Sequence, residues 1–189
     1  MRVVGGIKKG KTLASFKYPS IKPTKDSVRE AIFNVLGQDL SGKKVLDLFA
    51  GTGAMGIEAL SRGASLCAFV DNNQRAVEVI KKNIGLCGFG NTAKVFKKDV
   101  KDSIRYLKKE GAMFDVIFID APYADISLAY DTLKDISGSG LLGPGGTIVC
   151  EASKRFPLKE AMGGLAIEKE KRYGDTLVYF LKAAAETFL

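Results

Sequence analysis

Asp47-Leu-Phe-Ala-Gly-Thr-Gly53 decides the fold of this 189-residue chain. It follows the apolar Val45 and Leu46 and runs into a helical pattern of Met55, Ala59 and Leu60 that Gly63 stops, so its glycines sit at a strand-to-helix turn. There the backbone must approach both a ligand and the helix start, which only residues without a side chain permit. Gly51, Gly53 and Gly56 also satisfy GxGxxG, a spacing that by itself suits a dinucleotide whose pyrophosphate rests on a helix N-terminus. The acidic Asp47, four residues ahead of the first glycine, shifts the balance. A carboxylate there welcomes a cationic amino group and disfavours a pyrophosphate, and S-adenosylmethionine carries such an amino group.

Outward from this turn, the next apolar run, Leu66 to Val70, ends in Asp71, a carboxylate placed to accept from ribose hydroxyls. A third strand pattern, Ala93 to Phe96, is followed by Asp99, which is placed to accept from an adenine amine; a solvated loop aspartate is the alternative. Further strand patterns near 114–119 and 147–151 alternate with helical ones such as Ala76, Val77, Ile80, Ile84 and Ala129, Leu133, Ile136. Alternation of this kind predicts an α/β fold with a parallel sheet wrapped by helices. Leu165 to Tyr173 and Thr176 to Leu181, joined by Gly174-Asp175, predict an antiparallel hairpin at its edge. A turn is expected over Leu142-Gly-Pro-Gly-Gly146, ahead of the fifth strand.

The strand ending near residue 119 leads into Asp120-Ala-Pro-Tyr123. These are ordinary turn residues. Behind the glycine turn they become a candidate grip for a flat base bearing an exocyclic amine.

Composition narrows the chemistry. The chain has no histidine, which excludes Ser/His and Cys/His nucleophilic catalysis and leaves carboxylates, amines and phenols as acid and base groups. Cys67, Cys87 and Cys150 are odd in number and scattered, so they are expected as reduced core thiols of a cytoplasmic protein, and no metal-ligand spacing occurs. No apolar run approaches the roughly 18 residues of a membrane span, and no signal pattern opens the chain.

The net charge of +8 is concentrated: residues 1–25 hold Arg2, Lys8, Lys9, Lys11, Lys17, Lys22 and Lys25 without an acid, leaving +1 for everything else. Val3, Val4, Ile7, Leu13 and Phe16 punctuated by Gly5, Gly6 and Gly10 predict a short ordered hairpin there, not a disordered arm. An ordered basic ribbon beside a base-sized pocket points to a polyanion, held by phosphate contacts that position without reading sequence. Arg2, Lys8, Lys9, Lys11, Lys22, Lys25 and Arg29 are the candidate RNA contacts. The helix that follows is capped at Thr24, Asp26 or Ser27, the last in a capping box with Glu30; it buries Val28, Ala31, Ile32 and Val35 or Leu36, and Gly37 ends it.

Several longer stretches then carry a family resemblance. Arg2-Val-Val-Gly-Gly6, Lys22-Pro-Thr-Lys-Asp26, Val28-Arg-Glu-Ala-Ile-Phe-Asn34, the run from Asp47 to Ala64 and Tyr173-Gly-Asp-Thr176 resemble the RsmD-type enzymes, class I S-adenosylmethionine-dependent methyltransferases that modify the N2 amine of a guanine in 16S ribosomal RNA. The resemblance spans residues 1–182. It implies a Rossmann-like, mostly parallel seven-stranded sheet with a C-terminal antiparallel hairpin and a small N-terminal basic β-hairpin. The implied organisation is an RNA-contacting extension over 1–40, a methyltransferase domain over 41–182 and a tail over 183–189.

By resemblance the cofactor, S-adenosylmethionine, lies along Phe49, Ala50, Gly51, Thr52 and Gly53, with Asp47 near its amino group, Asp71 on its ribose, Asp99 on its adenine amine, and Asn72 and Val100 flanking the adenine. Asp120 and the carbonyl of Ala121 would accept the amine hydrogens, Pro122 would stiffen the loop, and Tyr123 would stack on the base. The implied partner is 16S rRNA, free or in an assembling 30S particle, met by a monomer without metal or membrane. Asp120-Ala-Pro-Tyr123 departs from the family's DPPY or DPPF, and Lys22 and Ser27 stand where arginine is usual. Adenine N6 would fit the same pocket, so the target base stays open between guanine and adenine. A nicotinamide-dependent oxidoreductase and a non-catalytic RNA-binding module are the remaining alternatives.

Overall fold

The computed structural model describes residues 1–15, 26–122, 126–158 and 163–184. Seven strands form one sheet in the order β3-β2-β1-β4-β5-β7-β6. They are β1 (Lys44–Leu48), β2 (Leu66–Asp71), β3 (Ala93–Lys97), β4 (Phe114–Ile119), β5 (Leu142–Ser153), β6 (Leu165–Tyr173) and β7 (Thr176–Ala183). The first five run parallel, and β7 pairs antiparallel with both β5 and β6. Because the chain winds from β1 toward β3 on one side and toward β5 on the other, strand order reverses between β1 and β4, where open α/β sheets bind ligands beyond the strands' C-terminal ends.

Both sheet faces are apolar, as a covered parallel sheet requires. On one face, α1 (Asp26–Leu36), α2 (Ala54–Ser61) and α3 (Gln74–Cys87) pack Ile32, Phe33, Ile57 and Ile80 against Val45, Phe69 and Phe118. On the other, α4 (Val100–Lys109) and α5 (Ile126–Ser137) pack Ile104, Leu107, Leu133 and Ile136 against Leu46, Val70, Ile117 and Ile148. All three cysteines are free and buried. Gly56 lets α2 approach the sheet closely: a Cβ there would stand 2.3 Å from the Phe69 ring and 2.5 Å from Cys67 Sγ.

The structure revises several sequence expectations. β5 begins at Leu142, because Leu142 pairs with Phe114 before Thr147 pairs with Val116; the expected glycine turn survives as a bulge inside the strand. The N-terminal hairpin is short: one antiparallel bridge joins Arg2 to Thr12, backbone bonds tie Val3 to Gly10 and Lys11, and Leu13 to Met1, and a 3-10 turn spans Gly6–Lys8. Val3 and Leu13 enter the core, yet Ile7 at the turn is 78% exposed. Ser27 lies inside α1, so it forms no capping box, while Thr24 and Phe16 lie outside the described residues.

Candidate active site and nucleic-acid interface

The C-terminal edge of the parallel strands gathers the candidate residues in one row. Leu48 of β1 lies opposite Val70 of β2 and Ile119 of β4, so the loop after β1 is flanked by Asp71 and by Asp120. Asp71 closes the first junction directly, since its Oδ2 accepts from Gly51 N–H at 2.8 Å and its Oδ1 from Asn73 N–H at 2.9 Å. With strands about 4.8 Å apart, the rim from β3 to β4 spans about 14 Å.

Three of the first five residues beyond β1 hold positive φ: Phe49 at 59°, Gly51 at 56° and Gly53 at 75°. Phe49 is the sole non-glycine residue with positive φ among the described residues, and strain of this kind gathers at binding sites. A side chain on Gly51 would meet only the Phe49 carbonyl, at 3.9 Å, so this part of the loop faces open space.

Asp47 plays a part the sequence did not disclose. It is 2% exposed, beneath the loop, with Oδ2 accepting from Gly56 N–H in the first turn of α2 at 2.9 Å. Burial drives its carboxyl well above the ordinary 3.8; the Gly56 N–H lowers it in part, while Asp120 and Asp71 raise it further. Burial likewise raises Asp71, against the lowering effect of its bonds from Asn73 and Gly51. The rim thus crowds three carboxyl groups, Asp47, Asp71 and Asp120, and both Asp47 and Asp71 hold their protons more tightly than an ordinary carboxyl. A pyrophosphate seeking the start of α2 would find Asp47 already there.

The remaining expected cofactor residues fall into place unevenly. Asn72 is exposed beside Asp71, and Asn73, unremarked in the sequence, caps α3 by accepting from Arg75 and Ala76 N–H. Asp99 is exposed at the β3 end of the rim, where it caps α4 by accepting from Lys101 N–H at 2.9 Å. Val100 is 7% exposed and packs in the core with Leu48 and Val70. Beyond β4, Asp120 is partly exposed, Ala121 buried and Pro122 exposed, and a small cleft runs from Ala121 and Pro122 to Glu151 and Phe156. Tyr123 lies outside the described residues.

The basic ribbon docks on α2 through a polar network that charge counting did not reveal. Glu58, fully buried, accepts from Val4 N–H at 2.8 Å and from Arg62 Nε at 2.9 Å, and stands 3.5 Å from Arg29 Nε. Arg62 also bonds the Gln38 side chain and lies over the Phe33 ring, while Arg29 bonds the Arg2 carbonyl and Asp26. Arg29 is therefore withdrawn from the RNA-contacting set: no part of it is exposed, and its charge is engaged by Glu58 and Asp26. Gly5 and Gly6 let the ribbon sit this close, since Cβ atoms there would stand 2.1 Å from the Arg62 guanidinium and 1.9 Å from the Ser61 carbonyl. Arg2, Lys9 and Lys11 remain exposed and Lys8 half-exposed; Lys22 and Lys25 lie outside the described residues.

An open, mostly parallel seven-stranded α/β sheet with an antiparallel edge hairpin is the architecture of the Rossmann-like methyltransferases. The solved structure of yhhF from Escherichia coli, provisionally named a methyltransferase, superposes with a TM-score of 0.83 at 26% identity over 98% of this chain and 99% of that one. Hypothetical protein TTHA0928 of Thermus thermophilus gives 0.81 at 29% identity, covering 95% and 98%. The chain belongs to the family described as Conserved hypothetical protein 95, which matches residues 1–182. Among its relatives, YlbH of Bacillus subtilis, provisionally named an rRNA methyltransferase, is 38% identical over 96% of this chain and 98% of its own length. Ribosomal RNA small subunit methyltransferase D of Escherichia coli K12 is 29% identical over 92% and 85%.

Proposed function

We propose that this chain transfers the methyl group of S-adenosylmethionine to the exocyclic N2 amine of a guanine in small-subunit ribosomal RNA. The observation that carries this is the rim itself: Asp71 tied to the Gly51 amide, with Asp120 at the end of the adjoining strand. The names of its relatives, an rRNA methyltransferase and a small-subunit rRNA methyltransferase, support the substrate class.

The rim's donor set fits the cofactor. Open space at Gly51 admits backbone approach, and the carboxylates of Asp71 and Asp47 suit a molecule bearing an ammonium and a sulfonium. Phe49 to Gly53 would hold its methionine end, Asp71 its ribose, and Asp99 with Asn72 its adenine. Val100, buried in the core, would support that end from below. Asp47, under the loop, acts through the Gly56 amide and through its charge. When bound, the cofactor supplies an electrophilic methyl carbon.

Everything else falls to protein groups. A guanine N2 lone pair is delocalised into the ring, so positioning and charge stabilisation must supply the catalysis. The Asp120 carboxylate and the Ala121 carbonyl accept the two N–H groups and turn the nitrogen toward the methyl. Bonding of that nitrogen to the methyl carbon would return the S–C electron pair to sulfur as a neutral thioether; the Asp120 carboxylate would oppose the positive charge growing on nitrogen, and the proton would then leave to solvent. Pro122 stiffens the loop, and Tyr123 stacks on the base. Residues 1–40 form the RNA-contacting extension of a cytoplasmic monomer, with Arg2, Lys8, Lys9, Lys11, Lys22 and Lys25 holding phosphates.

Transfer of labelled methyl to 16S rRNA, and to small subunits from cells lacking the enzyme, followed by nucleoside mass analysis, tests this. N2-methylguanosine is expected. N6-methyladenosine would overturn the base assignment, and transfer to neither acceptor would overturn the proposal.

A further inference from the structure

Asn83, fully buried on α3, holds three backbone groups from two distant segments. Its Oδ1 accepts from Ala14 N–H at 2.7 Å, and its Nδ2 donates to the Ala14 carbonyl and to the Thr52 carbonyl, each at 3.0 Å. Both amide hydrogens and the oxygen are thereby engaged, which fixes the orientation of the amide. Thr52 belongs to the strained loop after β1. Ala14 follows directly on Leu13, which joins the core at the end of the ribbon that carries Arg2, Lys8, Lys9 and Lys11.

A second contact meets at the same threonine. Thr52 Oγ1 lies 3.6 Å from Met1 Sδ, and Leu13 N–H bonds the Met1 carbonyl at 3.2 Å. The two limbs of the basic ribbon therefore meet at one residue of the cofactor loop, Met1 at the Thr52 hydroxyl and Ala14 through Asn83 at the Thr52 carbonyl.

We propose that Asn83 is a positioning residue that couples cofactor binding to RNA binding, and this rests on the proposed function of both segments. A ligand that settles the Thr52 peptide also settles Ala14, and with it the ribbon that carries Arg2, Lys8, Lys9 and Lys11. RNA held by that ribbon settles the loop in return. Linkage makes the two effects equal: the factor by which RNA tightens the cofactor site is the factor by which the cofactor tightens the RNA site. Asn83 touches neither ligand; it acts through Thr52 and Ala14.

Equilibrium dialysis of labelled S-adenosylhomocysteine, with the protein alone and saturated with whichever acceptor takes methyl above, measures the coupling as a ratio of dissociation constants. In the native protein the acceptor tightens binding at least about fivefold. The ratio falls toward one in Asn83→Ala, and also in Ala14→Pro, which deletes the N–H donor while leaving α3 and its packing intact. Ala14→Pro decides the matter if Asn83→Ala fails to fold. Thermal denaturation of each variant separates coupling from a merely structural role, because lost stability with an unchanged ratio would overturn the inference. A ratio of one in the native protein, with methyl transfer still measured, would overturn the coupling and leave the proposed function standing. Transfer to neither acceptor would refute both.

Discussion

The cofactor rim and the N-terminal ribbon both lean on α2, yet they are built in opposite ways. At the rim, carboxyl groups gather at the C-terminal ends of parallel strands, and the loop turns through positive φ at the strained Phe49 and the permissive Gly51. Under the ribbon, buried charges neutralise one another, with Glu58 between Arg29 and Arg62. The first region keeps its carboxyls for a ligand; the second uses its charges for attachment. Substitutions in the two regions should accordingly move different measurements.

The largest effect is expected at Asp120. Replacing it by alanine should cut kcat by at least about a hundredfold while leaving S-adenosylhomocysteine affinity unchanged, since it would serve the amine and not the cofactor. Unchanged turnover would remove Asp120 from the mechanism. Glu58→Ala should act on stability instead, by about 3–5 kcal/mol in urea denaturation, because two arginines would be left buried without their shared carboxylate. A loss below about 1 kcal/mol would show the network to be solvated.

A pair of glycine substitutions separates the regions further. Gly6→Ala combines φ of +70° with a 1.9 Å clash against the Ser61 carbonyl, so it should detach the ribbon and lower Tm. Gly51→Ala meets open space and should cost only about 1–2 kcal/mol of backbone strain, while raising the S-adenosylhomocysteine Kd. If the two variants gave the same profile, the division of labour would fail.

The smallest effect concerns pH. The carboxyls of Asp47 and Asp71 are raised by burial above 3.8, and a cation on the rim favours their ionised forms, so protonation of either opposes binding. Cofactor affinity should therefore weaken as pH falls from neutral toward that raised range, and more for the sulfonium of S-adenosylmethionine than for the neutral thioether of S-adenosylhomocysteine. Equal pH dependence of the two dissociation constants would contradict this.

Features encoded in neighbouring residues could be read from the sequence. Strand β1, the glycine loop, the stop at Gly63 and the Gly174-Asp175 hairpin each follow from a local pattern of apolar spacing and turn residues, and each is in the structure. Features that need residues far apart in the chain could not. Arg29 resembled its basic neighbours until Glu58 appeared beside it, and Asn83 resembled any polar helix residue although its partners lie 69 and 31 positions away. Asp47 stands out in the sequence by its spacing from the glycines, but which side of the loop it serves depends on how α2 folds back over β1. Asp99 is the opposite case: its cap partner, Lys101 N–H, is two residues away, and Val100, Ile104 and Leu107 mark α4 locally.

The central claim is that residues 47–53 and 120–122 line one site. A crystal structure with S-adenosylhomocysteine tests it most directly. The ligand should lie along Phe49 to Gly53, with its ribose on Asp71 and its sulfur turned toward Asp120. A ligand bound away from this rim, or one whose sulfur faces away from β4, would contradict the account.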